Sequence, residues 1–360
     1  MATSGDWYRL RRPSYGTDAR LRREWTCRRF ACYVGLLTLN IPLVEGHIRA
    51  AISALAYTPA FRSLLLSLLA RPGRVLAGNG PARWPAYVLE TCHALGGDLE
   101  AAYVAAAAVE FAVAGIDVID DEWNGDATCR YRALNASLAF GWLAQRCVGD
   151  LTERAGQERS RLVADLLAQG SLGSCGGQDL DLVLETSAHV TEEAAHEMTR
   201  AKSGSLVAMA CQIGAALATD EATTLEAVRC FGEHVGVVAQ VLNDIAGAAP
   251  GGEGGGSDLR RRKKTLPVVY ALRCAQEPAL PTVRATYRDT SGNRGDEEQL
   301  ARAIHDLGGI HYALVVADVH RREALAAVAA LARTTGRPEA HRLRRLIPPV
   351  QFPRSRRVAP

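Results

Sequence analysis

Apolar positions along this chain recur mostly every three or four residues, the period of amphipathic helices, and the strict alternation of a half-buried strand is hard to find. The pattern predicts helices at about 31–56, 60–70, 83–95, 98–122, 131–147, 150–169, 192–217, 221–246, 265–275, 297–306 and 311–334. Gly96 and Gly97 punctuate the join before the helix at 98–122. Thr191 followed by Glu192 and Glu193 is a helix start with acids in its first turn. Residues 246–258, AGAAPGGEGGGSD, are too glycine-rich for a helix and read as a mobile loop. The expectation is an all-α, single-domain helical bundle over 31–335, with a basic N-terminal extension at 1–30 and a basic C-terminal tail at 336–360.

Two of these helices carry polar groups where apolar ones belong. In DVIDDEWNGD, residues 117–126, Asp117, Asp120 and Asp121 stand at i, i+3 and i+4; in QVLNDIAG, residues 240–247, Gln240, Asn243 and Asp244 repeat that offset. On a helix each set shares one face. Buried carboxylates without partners cost too much to serve as packing. Hard oxygen ligands on two facing helices suit Mg2+, which shares its coordination with waters and substrate phosphates. The plainer reading makes Asp120 and Asp121 helix-end residues before the WNGD turn, and Lys202 a surface partner of Glu197.

With 360 residues, 48% of them hydrophobic, the chain can bury a large core. The net charge of +3 conceals arginine-rich ends at 9–29 and 342–357. A solvated extension is the simpler account of these ends; peripheral contact with an anionic membrane surface is the other. Nucleic acid is not expected as a partner, because no RNA-binding signature accompanies the arginines. The nine cysteines are scattered without a CxxC pair, which points to reduced thiols in a cytoplasmic protein and away from a disulfide framework or zinc site. The run at 103–119 is nearly long enough to cross a bilayer, but Glu110 and Asp117 interrupt it and alanine dominates, so a buried core helix is predicted. Glycines followed by Lys263, Lys264 and Thr265 are mis-spaced for a nucleotide-binding loop; a lid closing basic side chains over a polyanion fits the spacing better.

Several segments in order resemble the trans-isoprenyl diphosphate synthases: DDEWNGD (120–126), CRYR (129–132), GQDLD (177–181), KSGSL (202–206), FGEHVGVVAQVLND (231–244) and SDLRRRKKTLP (257–267), the last similar to a DLxxGKxTLP pattern. The resemblance spans about 78–275 and implies a class I isoprenoid synthase bundle around a central cavity, acting on a prenyl diphosphate, with a homodimer as its assembly. It further implies that Asp120, Asp121 and Asp126 hold Mg2+ on one wall with Asp117 as a helper, opposite Gln240, Asn243 and Asp244. Lys202, Lys263 and Arg132 would neutralise the departing diphosphate, and Arg83, Arg130, Gln178, Asp181 and Lys264 would contribute to substrate binding.

Three departures stand out. GNGPARWP, 78–85, replaces a basic GGKRxRP segment that binds isopentenyl diphosphate, with Arg83 the one basic residue nearby. NDIAG replaces DDxxD, with Asn243 for the first acid and Gly247 for the last. The glycine segment lacks a lysine usually found before it. Chain elongation is the default activity; cyclisation of a prenyl diphosphate, prenylation of a peptide or aromatic acceptor, and a non-catalytic partner subunit are the alternatives. Small residues at Ala114 and Gly115, just before the first motif, favour a long product.

Overall fold

A computed structural model describes residues 40–54, 57–78, 83–122, 127–249, 257–274, 287 and 297–352. Among these residues the regular elements are helical: α1 (Ile41–Ser53), α2 (Pro59–Leu69), α3 (Arg83–Ala94), α4 (Leu99–Glu122), α5 (Ala127–Asp150), α6 (Thr152–Ala155), α7 (Gln157–Thr186), α8 (Glu192–Thr199), α9 (Ser205–Ala216), α10 (Ala222–Ala248), α11 (Ser257–Arg260), α12 (Leu266–Cys274), α13 (Glu297–Asp306) and α14 (Gly309–Thr335). A π turn, Arg200–Gly204, joins α8 to α9, and 3-10 turns lie at Val75–Ala77 and Pro338–Leu346. The predicted start of α8 is realised: the Thr191 side chain accepts a hydrogen bond from the Ala194 N–H, with Glu192 and Glu193 in the first turn.

Helix α4 is the axis of the bundle. Every residue from Ala101 to Val109 is buried, and the helix packs against α1, α3, α5, α7 and α9. Its alanines let neighbouring backbones approach closely. This is the one described helix long and apolar enough to cross a membrane, and its burial identifies it as a core helix. A second apolar cluster joins α10, α12, α13 and α14. Helix α10 contributes to both, with Val228, Phe231 and Val235 in the first cluster and Val237, Val241 and Ile245 in the second.

Three sequence expectations change. The helix predicted to stop at 169 continues through GSLGSCGGQD to Thr186. Glycines there are contact surface and not breakers: side chains at Gly170 and Gly177 would collide with Met209 and with the Lys202 backbone. From the opposite side, Gly236 and Gly232 of α10 press on the same stretch, each with its Cβ position 2.6 Å from a backbone atom, Ser203 O and Ala208 Cα respectively. The stretch from the π turn into α9 is thus clasped between two glycine faces, and the π turn accommodates one extra residue there.

The expected basic tail at 336–360 is instead part of the folded body as far as Phe352. Ala340, Leu343 and Leu346 repeat every third residue, the 3-10 period, and are buried against α3 and α14. Interleaved arginines disguise that stripe in the sequence. The bounds expected for the loop at 246–258 change at both ends, because α10 runs to Ala248 and α11 begins at Ser257. The N-terminal extension at 1–30, residues 250–256 and residues 353–360 lie outside the described residues.

Candidate active site

Asp181, on α7, is the hub of the polar cluster. Lys202 Nζ, from the π turn, lies 2.9 Å from Asp181 Oδ2, and Lys263 Nζ lies 3.1 Å from the same oxygen. Burial opposes ionisation of Asp181, but the two ammonium groups outweigh it and hold the carboxyl below its ordinary value. Burial likewise works against the charge on Lys263, and Asp181 followed by Asp120 overcomes it, raising the lysine. Ser174 Oγ donates to the Lys202 carbonyl at 2.8 Å, fixing the π turn to α7.

Asp120, near the end of α4, closes the first wall. Gln178 Nε2 donates to its Oδ1 at 3.2 Å, Lys202 Nζ stands 3.5 Å from its Oδ2, and Arg261 approaches at 4.0 Å. The predicted i, i+5 partner of Lys202 is taken by Arg200, 2.7 Å from Glu197, which frees Lys202 for the interior. Gln178 and Asp181 therefore belong to the polar cluster, on a helix and not as loop caps.

On the second wall, Gln240 of α10 accepts from Ser203 Oγ at 2.6 Å and donates through Nε2 to Asp244 Oδ1 at 2.8 Å. Asp244 is 2% exposed, and its other oxygen is buried without a hydrogen-bond partner. Burial, and then the nearby Asp258, push its carboxyl up to about 7. Asn243, one residue earlier, faces outward and is exposed. The segment that follows turns sharply: Arg262 stands in the left-handed region, φ 55°, where the DLxxGKxTLP pattern has glycine, and the Lys263 N–H returns to the Asp258 carbonyl at 2.9 Å. That turn sends Lys263 inward.

Other predicted residues are placed elsewhere. Asp117 is bound by Arg74, which also reaches the Val113 carbonyl at 3.3 Å and Glu110 at 3.5 Å. It is an ion-pair partner of the loop before α3 and not an open ligand. Lys264 donates to the Leu184 and Glu185 carbonyls at 3.0 and 2.8 Å, a helix-end cap on α7 in place of the expected substrate contact. Arg132 is exposed on α5, and the ion pairs of the cluster are made without it. The side chains of Arg83, Asp121 and Arg130, and Asp126 altogether, lie outside the described residues. Gly115 faces α5, its Cβ position 3.1 Å from Ser137 O, so its small size serves helix packing and does not open a tunnel. Sequence reading passed over Arg261, Asp258 and Ser203. Each lies within a quoted motif, but only the fold shows that they converge.

A helical bundle in which acids of two helices adjoin a pair of lysines fits a class I isoprenoid synthase. Residues 68–306 match the polyprenyl synthetase family, and the chain belongs to that family. It is 31% identical over 258 residues to a geranylgeranyl diphosphate synthase of Mycobacterium tuberculosis, covering 68% of this chain and 73% of that protein. It is 28% identical over 273 residues to a short chain isoprenyl diphosphate synthase of Methanothermobacter thermautotrophicus, covering 72% and 82%. Its fold matches that of a polyprenyl synthetase from Streptomyces coelicolor, with TM-score 0.73 at 24% identity over 88% of this chain and 99% of that one. The chain is a prenyltransferase of the isoprenyl diphosphate synthase type, and chain elongation is the activity that its family membership supports.

Proposed function

We propose that this protein transfers the prenyl group of an allylic diphosphate to isopentenyl diphosphate in a Mg2+-dependent reaction. The observation that carries the reading is the pair of ammonium groups, partly buried Lys202 and buried Lys263, held by Asp181 beside two acidic helices. Ionisation of an allylic diphosphate needs its leaving group neutralised. Lys202, Lys263 and Arg261 supply positive charge on the α7 side, where an incoming diphosphate competes with Asp181 and Asp120 for the same cations.

The donor set suits a hard divalent cation. Asp120 and Asp244 offer oxygen, and the Asp244 oxygen without a hydrogen-bond partner is the kind of group a cation satisfies. Among the described residues no three His, Cys, Asp or Glu side chains already form a complete metal site. Such a cation would therefore share its coordination with substrate phosphates, and with Asp121 and Asp126. When bound, it supplies charge neutralisation at the leaving group. Gln240 keeps Asp244 oriented, and the apolar wall of α4 shelters the hydrocarbon and the cationic carbon from water.

The assembly that fits is a homodimer. Tyr131, Leu134, Leu138 and Trp142 form one stripe on α5, and the two aromatics are 73% and 74% exposed. Light scattering on Trp142→Glu, against the unmodified chain, tests this: a monomeric variant supports it, and an unchanged mass refutes it. Among the described residues Cys92, Cys147, Cys175, Cys211, Cys230 and Cys274 are free thiols, which favours the cytoplasm.

A second reading, reaction without isopentenyl diphosphate, is favoured by the loss of basic residues in GNGPARWP. Purified protein with Mg2+ and geranyl, farnesyl or geranylgeranyl diphosphate, with and without isopentenyl diphosphate, separates the two by mass spectrometry. Longer diphosphates formed only with isopentenyl diphosphate establish elongation. Hydrocarbons or alcohols formed without it sink elongation in favour of cyclisation or quenching.

A further inference from the structure

The second acidic motif lacks its last acid, since Gly247 stands where the DDxxD pattern ends. Residues 240, 244 and 247 share one side of α10, so a side chain at 247 would extend the face that carries Asp244. That space is not empty. A Cβ at Gly247 would collide with Asp258: the three nearest heavy atoms are Oδ2, Cγ at 2.5 Å and Oδ1 at 3.1 Å, all of one carboxylate. Beside it Asp244 keeps one buried oxygen without a hydrogen-bond partner. Asp258 belongs to α11, at the start of the segment that follows the glycine-rich stretch.

We propose that Asp258 supplies to the α10 wall the carboxylate that residue 247 lacks, so that the cation site at Asp244 is completed only when residues 257–263 lie closed against α10. The inference rests on the metal-dependent reading above. A carboxylate fixed on the helix would hold a cation whatever the covering segment does. A carboxylate carried by the segment makes cation capture and closure one event. The same segment carries the catalytic cation: the Lys263 N–H is bonded to the Asp258 carbonyl at 2.9 Å, and Lys263 Nζ reaches Asp181. Drawing Asp258 onto a cation therefore also seats Lys263. Asp258 is a positioning residue that reports the presence of metal to the lysine that meets the diphosphate.

The arrangement predicts that the acid can be moved back. The test uses the full chain, Mn2+ as probe and inorganic diphosphate, with bound Mn2+ read by electron paramagnetic resonance and closure read by tryptic cleavage after Arg260, Arg261 and Arg262. In the unmodified protein, Mn2+ with diphosphate protects these bonds. Asp258→Asn weakens Mn2+ by at least the roughly 10–100-fold that loss of an outer partner of a metal site costs, and abolishes the protection. Gly247→Asp alone also binds poorly, because its side chain meets Asp258. The double variant Gly247→Asp/Asp258→Gly regains Mn2+ binding relative to Asp258→Gly, yet stays cleavable. Asp258→Asn binding Mn2+ and resisting trypsin like the unmodified chain overturns the proposal, as does a double variant that binds no better than Asp258→Gly. Thermal unfolding verifies that each variant is folded, and the swap carries the test should Asp258→Asn not fold. An unmodified chain that takes no Mn2+ with diphosphate defeats the metal-dependent reading itself; failure in the variants alone defeats only the role of Asp258.

Discussion

The two walls of the site are built from the same residue types and are in opposite electrostatic states. On the α7 side one carboxylate, Asp181, serves two ammonium groups, and burial is overcome by pairing. On the α10 side two carboxylates, Asp244 and Asp258, adjoin each other, and burial raises both. On the first wall pairing wins and the shared acid is lowered; on the second burial wins and both acids stay raised although Lys263 lies nearby. A site that must bring a divalent ion and a polyanion together benefits from this asymmetry: the acidic wall attracts the metal, and the lysines stay charged and ready for the phosphates.

The comparison breaks first at its hub. Asp181→Asn leaves Lys202 and Lys263 without their shared anion in a buried setting, and removal of one member of a buried ion pair costs about 3–5 kcal/mol. Urea unfolding of the variant should show a loss of that order, and an unchanged midpoint would mean that the first wall is not held by this pairing. Lys202→Ala acts on chemistry more than on the scaffold. A donor aimed at developing charge is worth about 100–1,000-fold in kcat, so steady-state kinetics should show a kcat loss of that size with a smaller change in KM.

Much of this was legible before the fold was known, because it resides in local pattern. The acids of α4 and α10 announce themselves as polar residues at helical spacing within apolar runs, and Thr191-Glu192-Glu193 marks its helix start by cap chemistry alone. What stayed hidden depends on long-range contact. Asp117 has the right spacing for a ligand and is claimed by Arg74, more than forty residues away in the chain. Lys264 and Lys263 are neighbours in sequence, yet one caps α7 and the other enters the site, because the left-handed turn at Arg262 sets their directions. The helix predicted to end at 169 runs on through the glycines of α7, whose role, admitting the Lys202 segment, exists only once two helices meet.

That last point yields a sharper and smaller test. Gly176 and Gly177 are adjacent on α7; a side chain at 176 meets nothing within 4 Å, whereas one at 177 would stand 2.5 Å from Lys202 Cα and 2.6 Å from the Ala201 carbonyl carbon. Gly176→Ala should be neutral or stabilise by up to about 1 kcal/mol through helix propensity. Gly177→Ala should destabilise by about 1–3 kcal/mol as overpacking and lower kcat by displacing Lys202. Equal behaviour of the two variants would remove the glycine face from the account of how the first wall is positioned.

The most selective effect concerns pH, and it separates the second wall from the scaffold. Glu90, fully buried on α3 with Arg342 3.8 Å away, has its carboxyl pushed up to about 7 by burial, which outweighs Arg342 and Arg345. Asp244 is raised to the same level. For both groups the folded state holds the proton more tightly than the unfolded chain, so their contribution is present below the ordinary carboxylate pKa and is lost as pH rises toward about 7. His320 works in the opposite direction. Burial, then His234 and His196, hold it down to about 4, so the stability it governs is lost as pH falls from 6.5 through that value. Variants are therefore more informative than the parent profile. Glu90→Gln and Asp244→Asn should each flatten the fall in unfolding free energy between about pH 4 and pH 7, by at most about 1.4 kcal/mol per pH unit for one proton. Adding Mg2+ with inorganic diphosphate should remove the Asp244 share and leave that of Glu90, because a cation stabilises the ionised acid only where it binds. A profile in which metal changes neither share would place the raised acid of the second wall in the same structural category as Glu90.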